Sequence, residues 1–205
     1  MTEVEQKSVE NKENAEEAVD DSAFIKHPLH HAWTLWYLEA DRSKSWEEMQ
    51  NIVTTFDTVE DFWSLFNHIK QPSDIKMGND YSLFKQGIRP MWEDQANKLG
   101  GRWMLTLQRN QKEEVNKLWL DTVLCLIGEA FDNSDEICGA VVNVRTKGDK
   151  ISVWTADGTN HDAILEIGRK LKERLGLGNK WQLHYNLHSD TQNKSGSQAK
   201  SIFVL

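Results

Sequence analysis

In Met91-Trp92-Glu93-Asp94 an indole and a carboxylate are neighbours, a flat π-surface with a hydrogen-bond acceptor at its edge. Such a pair suits a purine, which offers a ring face for stacking and N–H groups that donate. A slot of this kind also needs a second indole for the other face and cations for a phosphate tail. Trp46 is the candidate for the first, and Arg145, Lys147 and Lys150 for the second. Trp46 follows the polar run Asp41-Arg42-Ser43-Lys44-Ser45, and Trp92 follows Pro90, so both fall outside regular structure. An indole left wet forfeits its burial energy. Trp46 folded back onto the core is the competing reading, but two loop indoles, one beside a carboxylate, favour a binding slot.

The cations are placed by strand alternation. Residues 137–145 and 150–155 read as two strands joined by Thr146-Lys147-Gly148-Asp149, a hairpin signal. Asn143 and Arg145 then face away from Val142 and Val144, while Lys150, Ser152 and Trp154 oppose Ile151 and Val153. One face is core and the other carries cations, with Lys147 in the turn between them, so that three cations converge on one anion. A solvated basic edge is the alternative for this cluster.

Other elements follow from periodicity. Residues 32–39 are aromatic and β-favouring, 102–107 alternate, and strands are also expected over 181–187 and 202–205. Thr58 with Asp61 resembles a capping box that opens a helix, in which Phe62, Leu65, Phe66 and Ile69 share one face. A second helix is expected over 113–131 and a third from 159 or 160 to 175, closed by Gly176. Residues 189–201 read as a polar loop. Strands interrupted by three helices without βαβ regularity give an α+β fold, an antiparallel sheet with helices on one face.

The second helix has apolar residues on both sides. Leu118, Cys125 and Leu126 lie opposite Leu120, Val123, Leu124 and Ile127 at 100° per residue. One side packs on the sheet, and the other is either covered by the chain itself or open to a partner, of which the second suits so small a two-layer domain better. Val59 and Trp63 flank the buried stripe of the first helix and extend that patch.

At 205 residues the chain suits one domain with a sizeable core. Residues 1–26 hold three Lys against eight Asp or Glu and few large apolar groups, and are expected to be a disordered acidic tail, with the folded domain over 27–205. The net charge of −8 excludes a general duplex binder, although residues after Val141 carry ten basic against six acidic side chains. A local cation cluster fits a short polyphosphate better than a long backbone. Cys125 and Cys138 lack Cys-x-x-Cys spacing and read as reduced core residues of an intracellular protein. No apolar run is long enough to span a bilayer, which leaves the cytoplasm as the default compartment and the nucleus as a second.

Together these residues resemble the eukaryotic translation initiation factor 4E family, which binds the 5′ cap of messenger RNA. The resemblance spans 27–205 and rests on His27-Pro28-Leu29, Phe56-Asp57-Thr58-Val59-Glu60-Asp61-Phe62-Trp63, Asp80-Tyr81-Ser82-Leu83-Phe84-Lys85, Pro90-Met91-Trp92-Glu93-Asp94, Gly100-Gly101-Arg102-Trp103, Leu124-Cys125-Leu126-Ile127-Gly128-Glu129, Cys138-Gly139-Ala140-Val141-Val142-Asn143-Val144-Arg145 and Lys147-Gly148-Asp149-Lys150. It implies a curved eight-stranded antiparallel sheet with three helices on the convex face. It further implies that Trp46 and Trp92 sandwich 7-methylguanine, that Glu93 accepts from its N1 and N2 groups, that Trp154 touches the methyl group, and that Arg145, Lys147 and Lys150 hold the triphosphate. By the same likeness His27, Pro28, Leu29, Val59, Trp63, Leu120, Asp121 and Leu124 form the site for Tyr-x-x-x-x-Leu-Φ peptides of initiation scaffold and repressor binding proteins. The implied state is a monomer within a heteromeric complex.

The chain departs from the family pattern at Asp121, where most relatives carry Glu, and over 181–188 and 192–200, which match loosely. Ser197 aligns with a phosphoserine of relatives. No cofactor, metal or catalytic residue is implied: the 168–176 helix lacks the paired glutamates of a diphosphate hydrolase box, and His27, His30 and His31 read as surface histidines. The alternative to an initiation role is a specialised paralogue, either a cap-binding repressor or a partner-binding module with weak cap affinity.

Overall fold

The computed structural model describes residues 25–108, 111, 114–190 and 201–205, with the backbone of 191–193. Its elements are β1 (Pro28–Leu38), β2 (Gln50–Thr58), α1 (Val59–His68), β3 (Asp80–Lys85), β4 (Gly101–Thr106), α2 (Glu114–Ile127), β5 (Ile137–Asn143), β6 (Lys150–Thr155), α3 (His161–Arg174), β7 (Leu183–Leu187), α4 (His188–Asn193) and β8 (Phe203–Val204). The eight strands form one antiparallel sheet in the order β2-β1-β3-β5-β6-β4-β7-β8. This is the α+β architecture expected, with α1, α2 and α3 on the convex face.

The main core lies between the sheet and those three helices. Alternation sends Trp33, Leu35, Leu83, Trp103, Leu105, Val142, Ile151 and Val153 into it, to meet Phe62 of α1, Trp119 and Val123 of α2, and Ile164 and Ile167 of α3. Burying large apolar side chains is the main favourable contribution to folding, and the indole N–H of Trp103 is matched by the Ile164 carbonyl at 2.8 Å. A Cβ at Gly168 would sit 2.4 Å from the Trp103 ring, so glycine lets α3 approach the sheet here. A smaller cluster of Phe84, Cys138, Val141 and Trp154 occupies the opposite face. Both cysteines are buried and free, and burial pushes the Cys138 thiol up to about 12.

Local chemistry sets the helix ends. Thr58 is the N-cap of α1: its hydroxyl accepts from the Asp61 N–H at 3.2 Å and donates to the Asp61 carboxylate at 2.8 Å. In a capping box the carboxylate reaches back to the cap N–H instead; the N–H of Val59, the first residue of the helix, goes to His27 O at 2.9 Å. Helix α2 ends at Ile127, four residues before the expected Phe131, because Glu129 turns to φ +51° and Ala130 N–H bonds Cys125 O at 3.0 Å. Asn160 caps α3 through Ala163 N–H, and Gly176 follows it at φ +63°. The polar stretch expected as loop over 189–201 begins as the short helix α4. Residues 194–200, including Ser197, and all of the expected acidic tail up to residue 24 lie outside the described residues. Lys26, at the end of that stretch, pairs with Asp61 at 2.7 Å.

Candidate functional site

The β5–β6 hairpin divides its residues as alternation requires. Val142, Val144, Ile151 and Val153 enter the main core, and Val141, Asn143 and Trp154 face the helix-free side, where they line a cavity of about 600 Å³. Trp154 is buried, packed edge-to-face on Phe84 with ring centroids 5.4 Å apart. Trp46, Trp92, Glu93 and Arg145 line the same cavity, so five of the seven predicted slot residues meet in one place.

Two loops deliver the indoles. Between β1 and β2, Ser45 N–H donates to the Glu48 carboxylate at 2.7 Å while Glu48 N–H donates to Ser45 Oγ at 3.3 Å, a reciprocal turn that presents Trp46. Trp46 stays 43% exposed, and it joins neither core cluster. Between β3 and β4, the buried Asn97 amide donates to the carbonyls of Arg89 and Met91, and Asp94 accepts from the N–H groups of Arg89 and Ala96. That loop holds Trp92 and Glu93 at the cavity wall. The Trp92 indole N–H donates to Glu93 Oε1 at 2.5 Å, which keeps the acid beside the indole. Neither Trp46 nor Trp92 packs on another aromatic ring among the described residues.

Positive charge gathers at one end. Arg145 forms a two-pronged pair with the buried Asp80, Nη1–Oδ1 at 2.5 Å and Nη2–Oδ2 at 2.9 Å, which fixes the guanidinium. Lys147, in the exposed turn, and Lys150, at the start of β6, stand outside the cavity walls, next to Arg145 rather than among the lining residues. Burial, with help from Arg102 and Arg145, lowers the Lys150 pKa below the ordinary lysine value. Sequence reasoning placed Arg102 only as the start of a strand, yet it lines the cavity. Its register partner Trp154 was the available signal, since cross-strand partners share a face. Burial depresses the Arg102 pKa, as expected of a cation facing an enclosed space.

A second surface lies across the sheet. Val59 and Trp63 are exposed on α1 at 37% and 38%. The start of β1 is strapped between two helices: His27 bonds Glu60 of α1 through Nδ1 at 2.6 Å and through its N–H at 2.8 Å, and His31 reaches Glu129 beyond α2 at 2.9 Å. Pro28 is exposed and Leu29 half-buried in that strap. On α2, Leu120, Asp121 and Leu124 are half-buried, while Leu118, Val123, Cys125, Leu126 and Ile127 are buried, so apolar residues of both sides are covered. The part of α2 left partly open is therefore the narrow strip of Leu120, Asp121 and Leu124. Lys117 pairs with Asp121 at 2.5 Å. Among the described residues no group of His, Cys, Asp or Glu is arranged to hold a metal ion.

The family model for Eukaryotic initiation factor 4E matches residues 28–202. The chain belongs to the eukaryotic initiation factor 4E family. It is 64% identical over 190 residues to eukaryotic translation initiation factor 4E1 of Drosophila melanogaster, covering 93% of this chain and 73% of that protein. The solved structure of Ascaris suum eIF4E-3 with an m2,2,7G cap is 48% identical, with a TM-score of 0.83 and coverage of 88% of this chain and 99% of that one. The C. elegans eIF4E-3 complex with the 4E-binding protein Mextli and a cap analog is 46% identical, with a TM-score of 0.82 and coverage of 88% and 100%. Within this 4E-family chain, the cavity and the strapped surface lie on opposite faces of one sheet, so each is free to be occupied without blocking the other.

Proposed function

We propose that this chain binds the 7-methylguanosine 5′ cap of messenger RNA in the helix-free cavity and recruits an initiation scaffold protein on the helical face. Supporting the first half is one observation: Trp46, Trp92, Glu93, Trp154 and Arg145, drawn from three separate stretches of chain, line a single cavity. Two indoles from two loops take the two faces of the base. Methylation at N7 leaves the purine cationic, adding a cation–π attraction of about 0.5–2 kcal/mol to base–aromatic stacking of about 1–3 kcal/mol. Glu93 accepts from N1–H and N2–H and complements the charge of the base. Trp154 meets the methyl group. The phosphates leave past Arg145 toward Lys147 and Lys150, with Arg102 adding charge from the wall.

The recruiting half rests on Pro28, Leu29, Val59, Trp63, Leu120, Asp121 and Leu124, apolar or half-buried side chains that suit a Tyr-x-x-x-x-Leu-Φ helix, with the exposed His27 at their edge. Asp121 replaces the longer acid of most relatives and leaves a shorter reach for partner contacts. Both surfaces are formed in one chain, which favours initiation over a cap-binding repressor or a module with weak cap affinity. We place this activity in the cytoplasm; no described helix is long and apolar enough to cross a membrane.

The test separates the faces. Trp92→Ala loses retention on 7-methylguanosine resin and keeps the scaffold peptide, and Trp63→Ala does the reverse. Full cap-resin retention by Trp92→Ala would reject the slot, and unchanged peptide binding by Trp63→Ala would reject the docking surface.

A further inference from the structure

Behind the cavity wall lies a polar group that the cap reading does not use. His188 is 1% exposed, and neither of its ring nitrogens has a hydrogen-bond partner among the described residues. Its backbone N–H is held by Gly100 O at 3.1 Å, directly after β7. The imidazole lies against Trp154, ring centroids 4.2 Å apart and planes tilted by 44°. Trp154 lines the cavity and His188 does not, so the imidazole backs the indole. Phe84 meets the same indole edge-on. The Trp154 Nε1 atom is likewise buried without a partner among the described residues, and the ring contacts with Phe84 and His188 are what hold this indole in place.

An unpartnered buried imidazole costs free energy. A side chain kept there for its shape has to fill space that a smaller one would leave open. Burial, with Arg102 adding to it, pushes the imidazole pKa down to about 3, so the ring that packs on Trp154 is neutral. A neutral ring stacks on indole without competing with the cation on the other side.

We propose that His188 is a positioning residue that wedges Trp154 against the cavity and thereby sets the size of N7 substituent the slot accepts. This rests on the cap-binding reading. Without the wedge, Trp154 tilts into the vacated volume, loses contact with a methyl group and opens room for a larger substituent.

The full-length chain and its His188→Ala and His188→Phe variants are titrated with N7-methyl-GTP and N7-benzyl-GTP, with a Tyr-x-x-x-x-Leu-Φ peptide as fold control. Loss of an aromatic contact and of methyl packing predicts that His188→Ala weakens N7-methyl-GTP by about tenfold and shifts the benzyl-to-methyl affinity ratio by at least about tenfold toward benzyl. His188→Phe restores the ring and holds both values near wild type, and peptide binding is unchanged throughout. If His188→Ala does not fold, His188→Leu, which fills part of the volume without a ring, must shift the ratio in the same direction. An unchanged ratio, with both nucleotides weakened equally, would overturn the wedge while leaving the cap reading intact. A wild-type chain that binds neither nucleotide would overturn both.

Discussion

Acidification tests the buried imidazole through stability, independently of any ligand. The folded state holds His188 neutral with a pKa of about 3, against 6.5 for the ordinary side chain. The folded pKa lies below the unfolded one, so the unfolded chain binds the extra proton. Above about pH 6.5 both states are neutral and the residue makes stability no more pH-dependent; below it, each pH unit costs about 1.4 kcal/mol until the folded pKa is reached. Going from about pH 8 to about pH 5 therefore removes roughly 2 kcal/mol, a drop of about 4–8 °C in Tm for a chain of this size. Stopping near pH 5 keeps the measurement above the range where Glu60 and Asp61 titrate, since hydrogen bonds lower both carboxyls, to His27 in the first case and to Lys26 in the second. The assay is urea unfolding of wild type and His188→Phe at both pH values. The other six histidines are common to both proteins and cancel in the difference. Wild type should lose roughly 2 kcal/mol more than the variant. Parallel losses, within about 0.5 kcal/mol, would mean that the imidazole is protonated in the fold or reached by water, and the reasoning from its burial would fail.

Other outcomes follow from single contacts. Thr58→Ala removes the α1 cap and should cost about 1 kcal/mol of stability by thermal melting; because α1 presents Val59 and Trp63, peptide affinity should fall with it while cap-resin retention holds. Gly148→Ala places a Cβ 2.3 Å from the Leu107 carbonyl in a turn at φ +134°. The strain should destabilise by more than about 1 kcal/mol and weaken cap binding by displacing Lys147, and a variant with unchanged Tm would show that the turn relaxes freely.

Legibility in the sequence tracked the physical origin of each element. Strands with one buried face were readable from alternation: β4, β5, β6 and β7 were placed to within two residues, and the hairpin faces that carry Arg145, Lys150 and Trp154 were assigned correctly. Strand β3 is buried along nearly its whole length, so it has no alternation to read, and β2 is an edge strand with Phe56 its one buried residue. Both were implied by the family resemblance alone. The far end of α2 is hard to read because apolar residues continue through Ala130 and Phe131 beyond Gly128, and the left-handed residue that ends the helix is Glu129 rather than that glycine. For Trp46 the local sequence allows core as well as slot, and the slot is favoured only together with Trp92; the reciprocal Ser45–Glu48 turn at its base is not legible from the residue types. The placements of Arg102 and His188 depend on cross-sheet packing, Arg102 beside Trp154 by register and His188 against its ring; alternation gives the face of Arg102, but local sequence contains no sign of the His188 contact.

The central claim is that two indoles close over a positively charged base. Intrinsic tryptophan fluorescence, titrated with 7-methyl-GTP and with GTP, measures it most directly. Quenching should saturate with the methylated nucleotide at a concentration at least about tenfold lower than with GTP, the ratio expected from a cation–π gain of about 1.4 kcal/mol. Equal quenching by the two nucleotides, or none by either, would contradict it.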